Sequence, residues 1–143
     1  MKAATSFKGN LAFDSSVLVE IFSDSELGRS LFGALQDEET TIHTSGVNIA
    51  EASYIICRKL GNDRARQARR DLLDSGYITL EEDLCLHEIA SGIKCERAIA
   101  LPDCYTFAVA ELTSSVPVFA IKEHELIREI GKKPFTPAPI FLS

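Results

Sequence analysis

Three acidic residues stand where an apolar segment gives way to the opening of a helical one: Asp14 in NLAFDSSVLVEIF, Glu51 in TSGVNIAEAS and Asp103 in ALPDCYTFAVA. An unpaired aspartate beside buried residues costs several kcal/mol unless something offsets its desolvation. Each acid has a local explanation. Asp14 can cap the turn that opens at Ser15 and Ser16, Asn48-x-x-Glu51 approximates a capping box, and Asp103 complements a helix dipole. Taken together, three carboxylates gathered in one crevice repel one another unless a divalent cation neutralises them. Ligation by carboxylate and water oxygens alone suits Mg²⁺ or Mn²⁺ rather than Zn²⁺.

The elements that must position these acids alternate along the chain. Leu11 to Phe13 reads as a short buried strand, followed by helices over about Ser16 to Phe22 and Ser25 to Leu35. Thr40 to Thr44 reads as a strand. A helix from about Asn48 to Leu60 is expected to stop at a left-handed Gly61, and another covers Asp63 to Asp74. Ser75-Gly76 signals a turn, Tyr77 to Leu80 a strand and Asp83 to Lys94 a helix. Leu101-Pro102-Asp103 opens a helix reaching about Thr113, with proline in the first turn, where its missing N–H is harmless. Val116 to Ile121 is the last strand, and Glu123 to Ile130 a short charged helix ending at Gly131. The tail with Pro134, Pro137 and Pro139 must be extended and is excluded from a central strand. Alternation of this kind favours a parallel α/β sheet covered by helices on both faces. Such sheets bind ligands beyond the carboxyl ends of their strands, where Asp14 and Glu51 fall.

The chain of 143 residues, 45% hydrophobic, is large enough to bury one sizeable core. It reads as one domain over residues 1–143, with the proline-rich tail beginning near Lys132. No stretch is long and apolar enough to span a bilayer. The run after Lys2 is too short and too soon broken by Asp14 for a secretory signal, so a cytoplasmic location is expected. Cys57, Cys85, Cys95 and Cys104 lack C-x-x-C spacing and read as small hydrophobes, while His43, His87 and His124 are scattered singly. A net charge of −6 argues against clamping nucleic acid by bulk charge. The basic residues are nonetheless concentrated: Arg58, Lys59, Arg64, Arg66, Arg69 and Arg70 fall in one short segment, which reads as a solvated helix face or as an RNA-contacting patch.

An apolar strand ending in Asp-Ser-Ser, a Glu in an I-A-E-A helix start, and P-D-C-Y-x-x-A-x-A followed by V-P-V-F-A resemble the PIN domain, especially the VapC-type toxins. The motifs are short, but they come in the right order over nearly the whole chain. The resemblance implies a three-layer α/β/α sandwich with a central parallel sheet and a metal-dependent ribonuclease site. It matches Asp14, Glu51 and Asp103 to the first three acidic ligands and Ser16 to a hydroxyl residue supporting the metal. The fourth acid falls in IKEHE, with Glu123 preferred and Glu125 in reserve. A Glu where the family usually has an Asp leaves open whether one or two ions bind. The implied cofactor is Mg²⁺ or Mn²⁺. The implied partners are an RNA substrate, a VapB-like antitoxin and a second copy in a homodimer, with the helices around Val17 to Leu35 and Asn48 to Leu60 as candidate contact surfaces. Arg58, Lys59, Arg64 and Lys122 are candidate RNA-contacting residues.

Two other readings compete. A receiver or phosphotransferase domain using Asp14 as acceptor lacks the D-x-D-x-T sequence after the strand and a late lysine in a receiver-like arrangement. A PIN-like RNA- or protein-binding module that no longer cleaves is consistent with the altered fourth acid.

Overall fold

Leu11, Ala12 and Phe13 are almost wholly buried and point alternately to the two faces of a sheet, as they must when helices cover both sides. They belong to β1 (Gly9–Phe13) in a computed structural model that describes residues 9–143. The stretch around Lys2, on which the reading of no secretory signal rests, lies outside the described residues. The remaining strands are β2 (Thr40–Ser45), β3 (Ile78–Glu81), β4 (Val116–Phe119) and β5 (Ile140–Phe141). All pair in parallel in the order β3-β2-β1-β4-β5, with Leu11 opposite both Ile42 and Val116. The strand order reverses between β1 and β4, which opens a crevice beyond their carboxyl ends.

The helices are α1 (Ser15–Phe22), α2 (Glu26–Leu35), α3 (Gly46–Leu60), α4 (Asn62–Asp74), α5 (Cys85–Glu96), α6 (Leu101–Thr113) and α7 (His124–Lys132). Helices α1 to α4 pack with Leu11, Phe13, Ile42 and Val118 on one face of the sheet. Helices α5 to α7 pack with Ala12 and Phe119 on the other. The three-layer sandwich with its central parallel sheet is therefore the observed architecture. Every residue of α6 from Asp103 to Ala110 is buried, because the helix is wrapped by the sheet and its neighbours. Between α1 and α2 the chain turns so tightly that a Cβ on Gly28 would lie 2.0 Å from the Glu20 carbonyl oxygen.

Several local expectations change. Gly61 has φ 95° but ψ 161°, so it ends α3 in an extended glycine conformation and directly starts α4, instead of closing the helix in the left-handed well. Helix α3 begins at Gly46, and its cap is the Ser45 hydroxyl, which accepts from Asn48 N at 3.1 Å; Asn48 itself does not cap. Helix α7 runs through Gly131 to Lys132. Cys85 and Cys95 are exposed thiols and not core hydrophobes, whereas Cys104 is buried. The proline-rich tail folds back: β5 adds an edge strand beside β4, and Phe135 stacks on Phe107 at 3.9 Å with the Arg97 guanidinium over the ring. An edge is where a chain interrupted by prolines can still pair. Among the described residues no helix is long and apolar enough to cross a membrane.

Candidate active site

Asp14 follows the last residue of β1, where its backbone N–H donates to the Val118 carbonyl at 2.9 Å and ties the ends of β1 and β4 together. It does cap α1, since Oδ2 accepts from Ser16 N at 3.0 Å and from Ser16 Oγ at 2.7 Å. The cap is only part of its environment. Oδ1 accepts from Thr106 Oγ1 at 2.7 Å, and the whole side chain is 3% exposed. A carboxylate offers about four acceptor positions, and Ser16 and Thr106 take three of them. Burial pushes the Asp14 pKa up, with the bonds from Thr106, from Ser16 and from the Ser15 backbone pulling the other way.

Asp103 lies in the first turn of α6 and is 7% exposed. Among the described residues its carboxylate accepts no hydrogen bond and has no ion pair. Burial and the neighbouring Asp14, Glu123, Glu51 and Glu125 push its pKa up to about 8. Glu51, half-buried in the second turn of α3, has its pKa raised by burial and then by Asp14 and Glu123, with the Ser15 hydroxyl opposing. Glu123 precedes α7 on the exposed rim, and burial, Asp14 and Glu125 raise its pKa. Carboxylates carried by β1, α3, α6 and the start of α7 thus feel one another across the crevice. Among the described residues none of them pairs with a lysine or arginine, and no group of three or more His, Cys, Asp or Glu side chains closes to metal-holding distances. Burial first, and the neighbouring carboxylates second, favour the protonated forms of Glu51, Asp103 and Glu123.

Beneath the acids runs a buried polar network that sequence reasoning missed. Asn48 Nδ2 donates to Ser15 Oγ, the Pro102 carbonyl and Thr106 Oγ1 at 3.1, 3.0 and 3.0 Å, and its Oδ1 accepts from Ser45 Oγ at 2.6 Å. One asparagine therefore binds the starts of α1, α3 and α6 together, and Thr106 passes that order to Asp14. Ser16 Oγ also accepts from Ala120 N at 3.0 Å, which fixes the segment leading to Glu123. The available signal was position: Asn48 precedes Glu51 by one turn, and Thr106 follows Asp103 by one turn, both at buried phases of their helices.

The basic candidates scatter. Arg64 donates to the Phe22 carbonyl at 3.3 Å at the far end of α1, and Lys59 and Lys122 are exposed. Arg58 lies over the Tyr54 ring at 5.7 Å and lines a cavity between α3 and α4.

Comparison with known proteins adds three findings. The sequence profile of the PIN domain matches residues 11–128. A search of curated protein sequences finds no significant match. Among solved structures, the chain is similar to Mycobacterium tuberculosis VapC20, described as a sarcin–ricin loop cleaving toxin, with TM-score 0.64 and 15% identity over 82% of this chain and 93% of that one. It is also similar to a Klebsiella pneumoniae toxin–antitoxin complex, with TM-score 0.56 and 19% identity over 91% and 99% of the two chains. A third similar structure is Rickettsia felis VapBC2 bound to a promoter DNA fragment, with TM-score 0.57 and 12% identity over 92% and 96%. At these identities the likeness establishes the fold.

Proposed function

Since the chain belongs to the PIN domain family, we propose that it is a divalent-cation-dependent endoribonuclease acting in the cytoplasm as the toxin of a toxin–antitoxin pair. What supports this reading is that Asp14, Glu51, Asp103 and Glu123 each have a raised pKa, that Asp14 contributes to the shift of the other three, and that among the described residues none has a basic partner. The donor set fits Mg²⁺ or Mn²⁺: it is made of carboxylate oxygens, and among the described residues the Asp103 carboxylate accepts no hydrogen bond. Asp14 and Asp103 would hold the ion, with Glu51 and Glu123 completing the ring. Bound there, such an ion lowers the pKa of a coordinated water and offsets the charge that grows on the phosphoryl oxygens.

The chain's own residues do the rest. Thr106 and Ser16 donate to both oxygens of Asp14 and so hold its carboxylate in one orientation. Glu51, at the mouth with a raised pKa, orients the attacking water and accepts its proton. Water attack leaves 5′ phosphate and 3′ hydroxyl ends. The similar toxin–antitoxin complexes support an antitoxin partner, and the family resemblance adds a homodimer.

Cleavage of single-stranded RNA near neutral pH, with Mg²⁺ or Mn²⁺ and with EDTA, tests the reading. Wild type is expected to cleave only with the cation, and Asp14→Asn and Asp103→Asn to be inactive with unchanged circular dichroism. Cleavage by either variant at the wild-type rate removes the proposed centre. A binding module that no longer cleaves is the second reading, favoured by the exposed Glu123 in the fourth position; RNA binding without cation-dependent cleavage decides for it.

A further inference from the structure

The acidic crevice repels a polyanion, so substrate must be held elsewhere. Helix α3, which carries Glu51, leads to a second feature. Glu51, Tyr54 and Arg58 follow one another at helical spacing along one face. Tyr54 is 51% exposed, a large aromatic ring left in solvent, with the Arg58 guanidinium beside it. The groove between α3 and α4 at this point is a cavity of about 650 Å³ lined by Ser53, Tyr54, Arg58, Asn62 and Arg69 among others. Arg69 donates to Ser53 Oγ from α4, which holds its guanidinium across the floor of the groove. Among the described residues neither arginine has a carboxylate partner. Arg69 also borders an adjoining cleft with Arg66 and Arg70, so positive charge continues along α4.

An aromatic face, two unpaired guanidiniums and side-chain amide and hydroxyl groups in one groove form the combination that binds single-stranded nucleic acid: bases stack on the ring while the arginines follow the phosphates. At a rise of about 1.5 Å per residue, Tyr54 lies about 4.5 Å and Arg58 about 10.5 Å along the helix axis from Glu51. That reach matches a strand of about three stacked nucleotides at about 3.4 Å each.

We propose that the α3–α4 groove is a nucleotide subsite of the ribonuclease, in which a base of single-stranded RNA flanking the scissile bond stacks on Tyr54 and the adjacent phosphates pair with Arg58 and Arg69. The proposal rests on the ribonuclease reading and adds to it the path of the substrate. It also gives the basic segment of the sequence a role: Arg58 and Arg69 serve the groove, whereas Arg64 is tied to the end of α1.

The test combines cleavage kinetics with photo-crosslinking of a single-stranded oligoribonucleotide carrying 5-iodouracil, on the full chain. Tyr54→Ala is expected to raise KM about five-fold or more with kcat little changed, the loss of one stacked base. Tyr54→Phe keeps the ring and stays close to wild type, and the cross-link maps to Tyr54. Arg58→Gln is expected to raise KM and lower the slope of log KM against log salt by about 0.7. Wild-type cleavage with KM unchanged in Tyr54→Ala and a cross-link outside the groove overturns the subsite and leaves the ribonuclease reading intact. If Tyr54→Ala instead splits a dimer in sedimentation while KM holds, the face is an interface between copies and the proposal fails. Wild type that neither binds nor cleaves RNA overturns both.

Discussion

Without a cation the acidic crevice is a source of instability whose size follows from Asp103. Its pKa is about 8 in the folded chain against 3.8 for an unperturbed aspartate. A carboxyl whose folded pKa is raised keeps a proton in the native state that the unfolded chain has already released. The contribution of this carboxyl to native stability is therefore fully present at low pH and is lost as pH rises through the window between those values, levelling off above about pH 8. At about 1.4 kcal/mol per unit, the rise from about pH 5 to about pH 8 costs up to about 4 kcal/mol from this residue alone. Asp14, Glu51 and Glu123 are shifted the same way and add to the sign of the slope. With about 3 °C of melting temperature per kcal/mol for a chain of this size, melting in EDTA should drop on the order of 10 °C across that range. Asp103→Asn should flatten the slope and raise the melting temperature at the alkaline end, a stabilisation obtained by removing a functional group. Adding Mg²⁺ should restore most at the alkaline end, because the ion binds the ionised form. Circular dichroism melts with and without EDTA provide the assay. A melting temperature that is flat or rises with pH in EDTA, or that falls equally in Asp103→Asn, refutes the electrostatic account of the crevice.

Two further perturbations probe what holds the crevice in place. Thr106→Val removes the donor to Asp14 Oδ1 and the acceptor for Asn48 Nδ2, so it should cost about 1–3 kcal/mol in urea unfolding and lower kcat with KM little changed. Thr106→Ser should recover most of both, and full activity in the valine variant would mean that Asp14 needs no such support. Gly28→Ala places a methyl 2.0 Å from the Glu20 carbonyl and must push α2 off α1, which should lower the urea midpoint by about 1–3 kcal/mol of stability at unchanged m-value. An alanine variant as stable as wild type would contradict that contact.

The parts of the architecture written in local pattern were legible before any coordinates. Leu11-Ala12-Phe13 and Val116 to Phe119 are short apolar runs bounded by polar residues, which is how buried parallel strands read, and Pro102 marks the start of α6. Asp14 and Asp103 stand at the helix openings where the local pattern puts them. What stayed hidden depends on partners distant in sequence. Asn48 looks like a cap in isolation, but Ser45 does the capping and frees its amide for Ser15, Pro102 and Thr106. The tail pairs with β4 because the stacking of Phe135 between Phe107 and Arg97 anchors it, a contact no local window contains. The conformation of Gly61 is not legible locally, because glycine permits both positive-φ wells and the immediate start of α4 selects the extended one.

Asp14, Glu51, Asp103 and Glu123 are proposed to form one cation-binding centre. Anomalous diffraction from crystals soaked in Mn²⁺ tests it most directly. The account predicts one or two strong peaks enclosed by Asp14 and Asp103, with Glu51 and Glu123 turned towards them; a saturating soak that leaves the crevice without a peak, or places Mn²⁺ only on carboxylates elsewhere, contradicts it.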